Sequence, residues 1–561
     1  MPAASERGSA VRRFARAALA LAPGPGDYAS IGRTWRQDLL AGITVGIVAL
    51  PLALAFGVSS GVGAAAGLIT AIVAGVVAAV FGGSHVQVSG PTGAMVVVLA
   101  PIVASQGVGA VAVLSLMAGV ILLVLGASRL GRAVAYIPWP VVEGFTVGIG
   151  IIIFLQQVPL AVSVSAAHGE NTALAAWQAL GAADWPQALG SLAVVALVAA
   201  IMLLLPRVHR ALPASLIAIV VASLAVAALG LDVPRLGALP ETLPAPQLPA
   251  IDPGTLASLA GPAFAIALLA GIESLLSARV ASGLAGPSGQ TTGPYHPDRE
   301  LLGQGLASIA AGLFGGMPAT GAIARTAVNV RSGARSRLAA ITHALVLLAV
   351  VALASGLVAQ IPLAALAGVL MVTAARMVSL PVARRVLGST RSDAVAYLLT
   401  AVITVSFDLI VAIQIGIACA ALLTLRKFAR LGSVRREPID GAAHEGDERI
   451  AVFRLDGLMF FGAAERVLQE LAGVSDVEVV VLRLSQLRYL DATGAQALVE
   501  VVRELEQRGI TVLLKGVREE HLALVTRVGV IAELRHHQHL FDRLEDAVAH
   551  ARSHVSRSAE A

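Results

Sequence analysis

Between Asp38 and Arg129 the chain carries no Asp, Glu, Lys or Arg. A stretch of that length without a formal charge cannot form the surface of a soluble globule, where about a quarter of residues are charged. The scarcity continues beyond it: residues 39–424 hold 15 basic and 11 acidic side chains, whereas residues 425–561 hold 19 and 21. The first region reads as a polytopic α-helical membrane protein and the second as a soluble domain. The overall pI of about 9.8 does not mark a nucleic-acid binder, because the soluble part is net acidic and the excess arginine lies in the N-terminus and short membrane loops. The single cysteine, Cys419, sits in an apolar run and excludes a disulfide framework.

A helical span needs about 20 apolar residues, and the hydrophobic segments divide into fourteen: 38–57, 62–82, 91–105, 109–127, 140–157, 187–205, 212–230, 256–282, 300–315, 319–331, 337–359, 362–378, 392–409 and 410–428. With the N-terminus inside, the loops carrying Arg129/Arg132, Arg207/Arg210, Arg331/Arg335/Arg337 and Arg376/Arg384/Arg385/Arg391 fall on the inner side. Loops 158–186 and 231–255 hold Glu170, Asp184, Asp232, Glu241 and Asp252 against one arginine, Arg235, and fall outside. Every substantial loop obeys the positive-inside rule. This places both termini in the cytosol. Only two lysines, Lys427 and Lys515, stand beside abundant Ala, Gly and Arg, which points to a GC-rich bacterial genome and hence a bacterial cytoplasmic membrane. The expected domains are a cytosolic segment (1–37), a transport domain (38–428), a linker (429–448), an α/β domain (449–552) and a disordered tail (553–561).

Two of the spans are too short to cross alone. Phe81-Gly82-Gly83 precedes Thr92-Gly93-Ala94, and Phe314-Gly315-Gly316 precedes Thr320-Gly321-Ala322. Matched Gly/Pro-interrupted short segments in two halves mark a transporter built from inverted repeats, seven spans each, with the third and tenth as half-helices meeting near the midplane. Each half-helix exposes backbone N–H groups without intrahelical partners and adds about half a positive charge at its N-terminus. Two such ends make an anion site without any charged side chain.

Ionisable residues at membrane depth are functional by default. Glu273 lies in the middle of the eighth span and is the candidate proton carrier, because a low dielectric disfavours the charged carboxylate. Ser277, one turn on, shares its face. Arg325 either supplies positive charge to the anion site or snorkels to the cytosolic boundary. Glu143 and Asp408 read as boundary residues. The membrane part holds no Ser/His/Asp arrangement, metal cluster or phosphate loop, so neither an enzyme nor a cofactor is expected.

In the tail the periodicity changes: strands are expected at 450–455, 477–484 and 510–514, and an amphipathic helix at 492–508 ending at Gly509. Asp491 is a helix N-cap, and Thr493 beside it is a candidate phosphosite. The run His536-His537-Gln538-His539 has metal-ligand chemistry, but solvated loop histidines are the simpler reading.

Five segments carry a family resemblance: DLLAGITVGIVALPLALAFG (38–57), VSGPTGA (88–94), GIESLLSARVA (271–281), RELLGQGLASIAAGLFGGMPATGAIARTAVNVRSGA (299–334) and LDATGAQAL (490–498). They resemble the sulphate permease (SulP) family with its C-terminal STAS domain, over about residues 35–550. Leu52 after Pro51 is similar to the DauA-like subgroup of dicarboxylate transporters. The resemblance implies a seven-plus-seven inverted repeat with core and gate subdomains, an elevator mechanism and a homodimer. It implies a substrate site at Phe56, Thr92, Gly93, Ala94, Ser277, Gly321, Ala322, Ile323, Ala324 and Arg325, with Glu273 as the coupling residue. Sodium-coupled bicarbonate members have Asp where Glu273 stands and Thr where Ile323 stands; losing that hydroxyl weakens a hard-cation site and favours protons. The expected function is proton-coupled symport of sulphate or a small dicarboxylate, with a cytosolic protein as possible partner of the STAS domain. The alternatives are a sodium-coupled bicarbonate transporter, an anion channel or exchanger, and a membrane-anchored STAS regulator.

Overall fold

The structure, a computed structural model, describes residues 23–132, 138–164, 172–209, 212–287, 289, 291–406, 415–416, 418–419, 421–426, 433–439, 442–460, 477–536 and 538–560. Asp408, Glu170, His537 and most of the fourteenth span lie outside these residues. The chain divides into two compact units, Met1–Ile417 and Ala418–Ala561.

In the first unit, thirteen of the expected spans fall on helices: Ile31–Ser59, Ala64–Phe81, Gly93–Gln106, Gly109–Ala127, Trp139–Gln156, Trp185–Val208, Ala214–Leu229, Pro253–Gly283, Pro297–Leu313, Ile323–Arg331, Arg337–Val358, Leu363–Met377 and Arg391–Ser406. Eight helical stretches among the described residues are long and apolar enough to cross a membrane. Polar residues punctuate them. Asp252 caps Pro253–Gly283 by accepting from Thr255 N, with Pro at the first helical position. Ser336 caps Arg337–Val358 by accepting from Leu338 N.

Helix pairing reveals the repeat. Ile31–Ser59 packs on Arg337–Val358, and seven spans later Pro253–Gly283 packs on Gly109–Ala127. Trp139–Gln156 packs on Arg391–Ser406, and its counterpart Leu363–Met377 on Trp185–Val208. Each pairing reappears with the halves exchanged, as a two-fold inverted repeat requires. The first four spans of each half pair chiefly among themselves as a core; the fifth, sixth and seventh of the first half pair with the twelfth and thirteenth as a gate. Small residues permit the contacts: a Cβ on Gly305 would lie 2.7 Å from Gly119 O, and one on Gly42 2.4 Å from Ala339 O.

Loop contacts agree with the charge-derived topology. Residues expected inside bond each other: Asp38 accepts from Arg335 N, Ser336 N and Ser336 Oγ, Asp27 pairs with Arg299 at 2.8 Å, and Asp298 accepts from Gly131 N. Residues expected outside do likewise: Arg235 donates to Gln360 and Leu236 N to Ile361 O. The exposed Trp139 donates through Nε1 to the half-buried Glu143.

Two short strands were not expected. β1 (Ser89–Gly90) and β2 (Thr320–Gly321) pair antiparallel, Ser89 opposite Gly321 and Gly90 opposite Thr320. They immediately precede the half-helices. The second half-helix therefore begins at Ile323 rather than at 319, because Thr320 and Gly321 are committed to the strand.

In the second unit, strands β3 (Ser433–Glu437), β4 (Ile450–Met459), β5 (Val479–Arg483), β6 (Leu487–Leu490), β7 (Thr511–Lys515) and β8 (Leu540–Phe541) form a sheet of order β3-β4-β5-β7-β8, with β6 beside β4. Only the β3–β4 pair is antiparallel. One face buries Leu498, Val502 and Leu505 of helix Ala492–Gln507. The other buries Ala547, Val548, Ala551 and Val555 of helix Leu544–Glu560. That last helix corrects the expected disordered tail at 553–561: Val555 is buried and the helix runs to Glu560.

Candidate functional site

The half-helices Gly93–Gln106 and Ile323–Arg331 begin where β1 and β2 cross. Neither has a side-chain cap. Thr92 stands at the N-cap position of the first, yet its hydroxyl donates to Glu273 Oε2 at 2.8 Å instead of bonding its own helix. The first N–H groups of both helices, at residues 93–95 and 323–325, are left without intrahelical acceptors.

Glu273 joins the two ends. Thr320, the repeat counterpart of Thr92, lies 2.9 Å from the same Oε2, and the two threonine oxygens are 3.0 Å apart. Thr320 is fully buried. It belongs with the site residues, and its signal was the repeated Thr-Gly-Ala triplet. Ser274 is a second addition: its Oγ accepts from Gly321 N at 2.9 Å, fixing β2 to the helix that carries Glu273.

Ser277 departs from expectation. It is fully buried and donates to Thr326 Oγ1, which accepts in turn from Val88 N. Its hydroxyl ties helix Pro253–Gly283 to the second half-helix, and Thr326 Oγ1 in turn holds Val88, just ahead of β1. Sequence periodicity put it on the Glu273 face; the half-helix packed against that face reaches it first.

Arg325 is 2 % exposed, which overturns the snorkelling alternative. Its Nη2 donates to Pro91 O, just ahead of the first half-helix. Its Nη1 is buried with no hydrogen-bond partner among the described residues. Arg325 makes no ion pair with Glu273 among the described residues. A Cβ on Gly90 would lie 2.8 Å from Arg325 Nη1, and Gly90 has φ +156°, so glycine gives the guanidinium its passage.

The two ends are unequally open. Thr92, Gly93 and Ala94 are buried, and so is Phe56. A Cβ on Gly93 would meet Ile153 Cδ1 at 2.3 Å and Phe56 Cε1 at 3.6 Å. Gly321 and Ala322 are buried, whereas Ile323 and Ala324 are exposed. The accessible positive end is that of the second half-helix.

In the second unit, Asp491 caps helix Ala492–Gln507 as expected, accepting from Gly494 N at 2.7 Å. Thr493 is exposed in the first turn.

An inverted repeat of membrane helices, whose two broken members present helix N-termini beside a half-buried carboxylate and a buried arginine, defines a multi-pass anion transporter rather than an enzyme. The sequence comparisons particularise this. The Sulfate permease family matches residues 35–400, and the STAS domain matches residues 442–547. The chain belongs to the sulfate permease family. It is 32% identical to YvdB of Bacillus subtilis, which carries a provisional sulfate-transporter name, over 91% of this chain and 97% of that protein. It is 31% identical to the bicarbonate transporter BicA of Synechocystis, over 86% of this chain and 88% of that protein. The structure of SLC26A9 shares the fold, with a TM-score of 0.80 at 16% identity over 94% of this chain and 92% of that one.

Proposed function

We propose that this transporter couples entry of a small oxyanion, sulfate or a four-carbon dicarboxylate, to protons carried by Glu273. The observation that carries this is the oxygen triangle. Glu273 Oε2, Thr92 Oγ1 and Thr320 Oγ1 make three mutual contacts of 2.8, 2.9 and 3.0 Å. Three hydrogen bonds need three hydrogens, and two threonines supply two. A proton on Glu273 supplies the third: Glu273 donates to one threonine, that threonine to the other, and the last back to the carboxyl oxygen.

Proton and anion are then linked electrostatically. Two unit charges about 5 Å apart at an effective dielectric of about 20 repel by about 3 kcal/mol, so an anion at the half-helix ends favours protonated Glu273. The anion itself is held by backbone N–H groups of residues 323–325 and 92–94, with the buried Arg325 charge behind them. Movement of the core past the gate, as an elevator in a homodimer, carries site and cargo across a bacterial cytoplasmic membrane with both termini cytosolic. Thr493 is the accessible position for phosphate control of the STAS domain, where a cytosolic protein would bind.

The similarity to BicA favours a second reading, bicarbonate as cargo. Uptake into proteoliposomes of sulfate, succinate, bicarbonate and chloride, with and without an inward proton gradient or sodium, separates the two. Gradient-stimulated sulfate or succinate uptake supports the first reading. Sodium-dependent bicarbonate uptake alone refutes it.

A further inference from the structure

The soluble unit brings together three histidines from two elements, one just ahead of β8 and two on the last helix. His550 and His554 stand at i and i+4 on helix Leu544–Glu560, with Nε2 atoms 3.2 Å apart. His539 precedes β8, and its ring centroid lies 5.4 Å from that of His550 and 5.5 Å from that of His554. One ring nitrogen from each of the three lies within 4.8 Å of the others. His539 is 4 % exposed, and its Nδ1 is buried with no hydrogen-bond partner among the described residues.

We infer that His539, His550 and His554 form a binding site for a divalent transition-metal ion, Zn²⁺ in particular, that fastens the C-terminal helix of the STAS domain to its sheet edge. Tetrahedral zinc with Zn–N bonds of about 2.05 Å places its ligand atoms about 3.3 Å apart, close to the separation already held by His550 and His554. Two histidines four residues apart on one helix face are a known grip for zinc, and the third arrives from a different element, so the ion would cross-link them. Metal ligation takes the lone pair of one ring nitrogen from each imidazole, and His539 Nδ1 is buried with no hydrogen-bond partner among the described residues. Of the cations nearby, Arg535 is paired with Glu506 at 3.0 Å and Arg557 donates to Ser553 O. Among the described residues no carboxylate joins the three ligands, so imidazole-seeking ions are favoured over Mg²⁺ or Ca²⁺. His536 is on the same loop, its ring 6.1 Å from that of His539; the fourth position is left to water.

The sequence showed only half of this arrangement. The run at residues 536–539 reads as a solvated loop, and the helix supplies the ligands that change that reading.

The test uses the full-length protein, purified without a polyhistidine tag, stripped by chelator and titrated with Zn²⁺ alone. The expected result is saturable uptake of one Zn²⁺ per chain and a higher thermal midpoint with metal. In H550Q/H554Q the affinity falls by at least about tenfold and the metal-induced shift disappears, whereas H444Q, on an exposed loop, behaves as wild type. Co²⁺ on the wild-type protein adds a reading that needs no variant: intense visible bands of a tetrahedral ion. Absence of saturable binding, absence of those bands, or equal binding by H550Q/H554Q overturns the site.

Discussion

Glu273→Gln tests the coupling mechanism because it removes charge and proton exchange while keeping shape. The protonated carboxyl takes part in two hydroxyl contacts, at 2.8 and 2.9 Å, donating one and accepting the other. A carboxamide is also neutral and can both donate and accept, and each hydrogen bond it fails to remake costs about 1 kcal/mol. The variant therefore loses about 2 kcal/mol locally at most, too little to unfold the transport domain, and its thermal midpoint is expected to stay within a few degrees. The functional change is larger. One pH unit across the membrane is worth about 1.4 kcal/mol per proton. At clamped zero membrane potential, a carrier moving one proton with each anion accumulates it about tenfold per pH unit. E273Q is expected to lose that accumulation, reaching equal concentrations on both sides, while still exchanging labelled for unlabelled anion. Its anion affinity should also stop varying with pH. The assay is uptake into proteoliposomes with the potential clamped and the lumen buffered. Gradient-driven accumulation by E273Q equal to wild type would refute the proton role outright. Loss of exchange as well as accumulation, with the fold intact, would make Glu273 a binding residue instead.

Arg325→Ala removes the donor to Pro91 O and a buried charge; the anion KM should rise at least about tenfold, with a stability loss of about 2 kcal/mol. An unchanged KM with a lowered thermal midpoint would leave Arg325 a structural strap only. Gly321→Ala places a Cβ 1.8 Å from Gln87 Nε2 and 3.0 Å from Ser274 Cα; overpacking of about 1–3 kcal/mol should lower the thermal midpoint and slow uptake, and an unaltered midpoint would mean that β2 moves freely. In the soluble unit the side-chain hydrogen bond from Arg552, the backbone bond from His444 and the Arg552 charge hold Asp447 down at about 2. Because the folded value lies below the ordinary 3.8, the stabilisation is complete above pH 4 and is lost as pH falls towards 2. Pepsin cleavage of helix Leu544–Glu560, which carries Arg552, should accelerate over that range beyond the enzyme's own pH dependence; D447N should not show the extra acceleration, and an identical profile would discount the pair.

The helices were legible because membrane insertion imposes a simple rule: apolar runs of sufficient length, separated by loops whose arginines set the side. The cuts at 109–127 and 337–359 match helices Gly109–Ala127 and Arg337–Val358 within a residue. The repeat was legible because symmetric halves keep the same short motif, Thr-Gly-Ala. Glu273 stood out because a carboxylate in hydrocarbon has few reasons to be there. Ser277 did not resolve in the same way. Helical periodicity gives a face but not the element packed against it, and Thr326 occupies that face.

By itself, then, the sequence determined a membrane domain of inverted repeats, its two half-helices and a soluble α/β domain, since all of these follow from local hydropathy, charge and motif. Tertiary structure alone decided that β1 pairs with β2, that Thr320 and Thr92 converge on one carboxyl oxygen, that Arg325 is buried against Pro91, and that His539 meets His550 and His554. Each of these contacts joins residues on different elements. Their distances are set by how helices and strands pack, which no local pattern encodes.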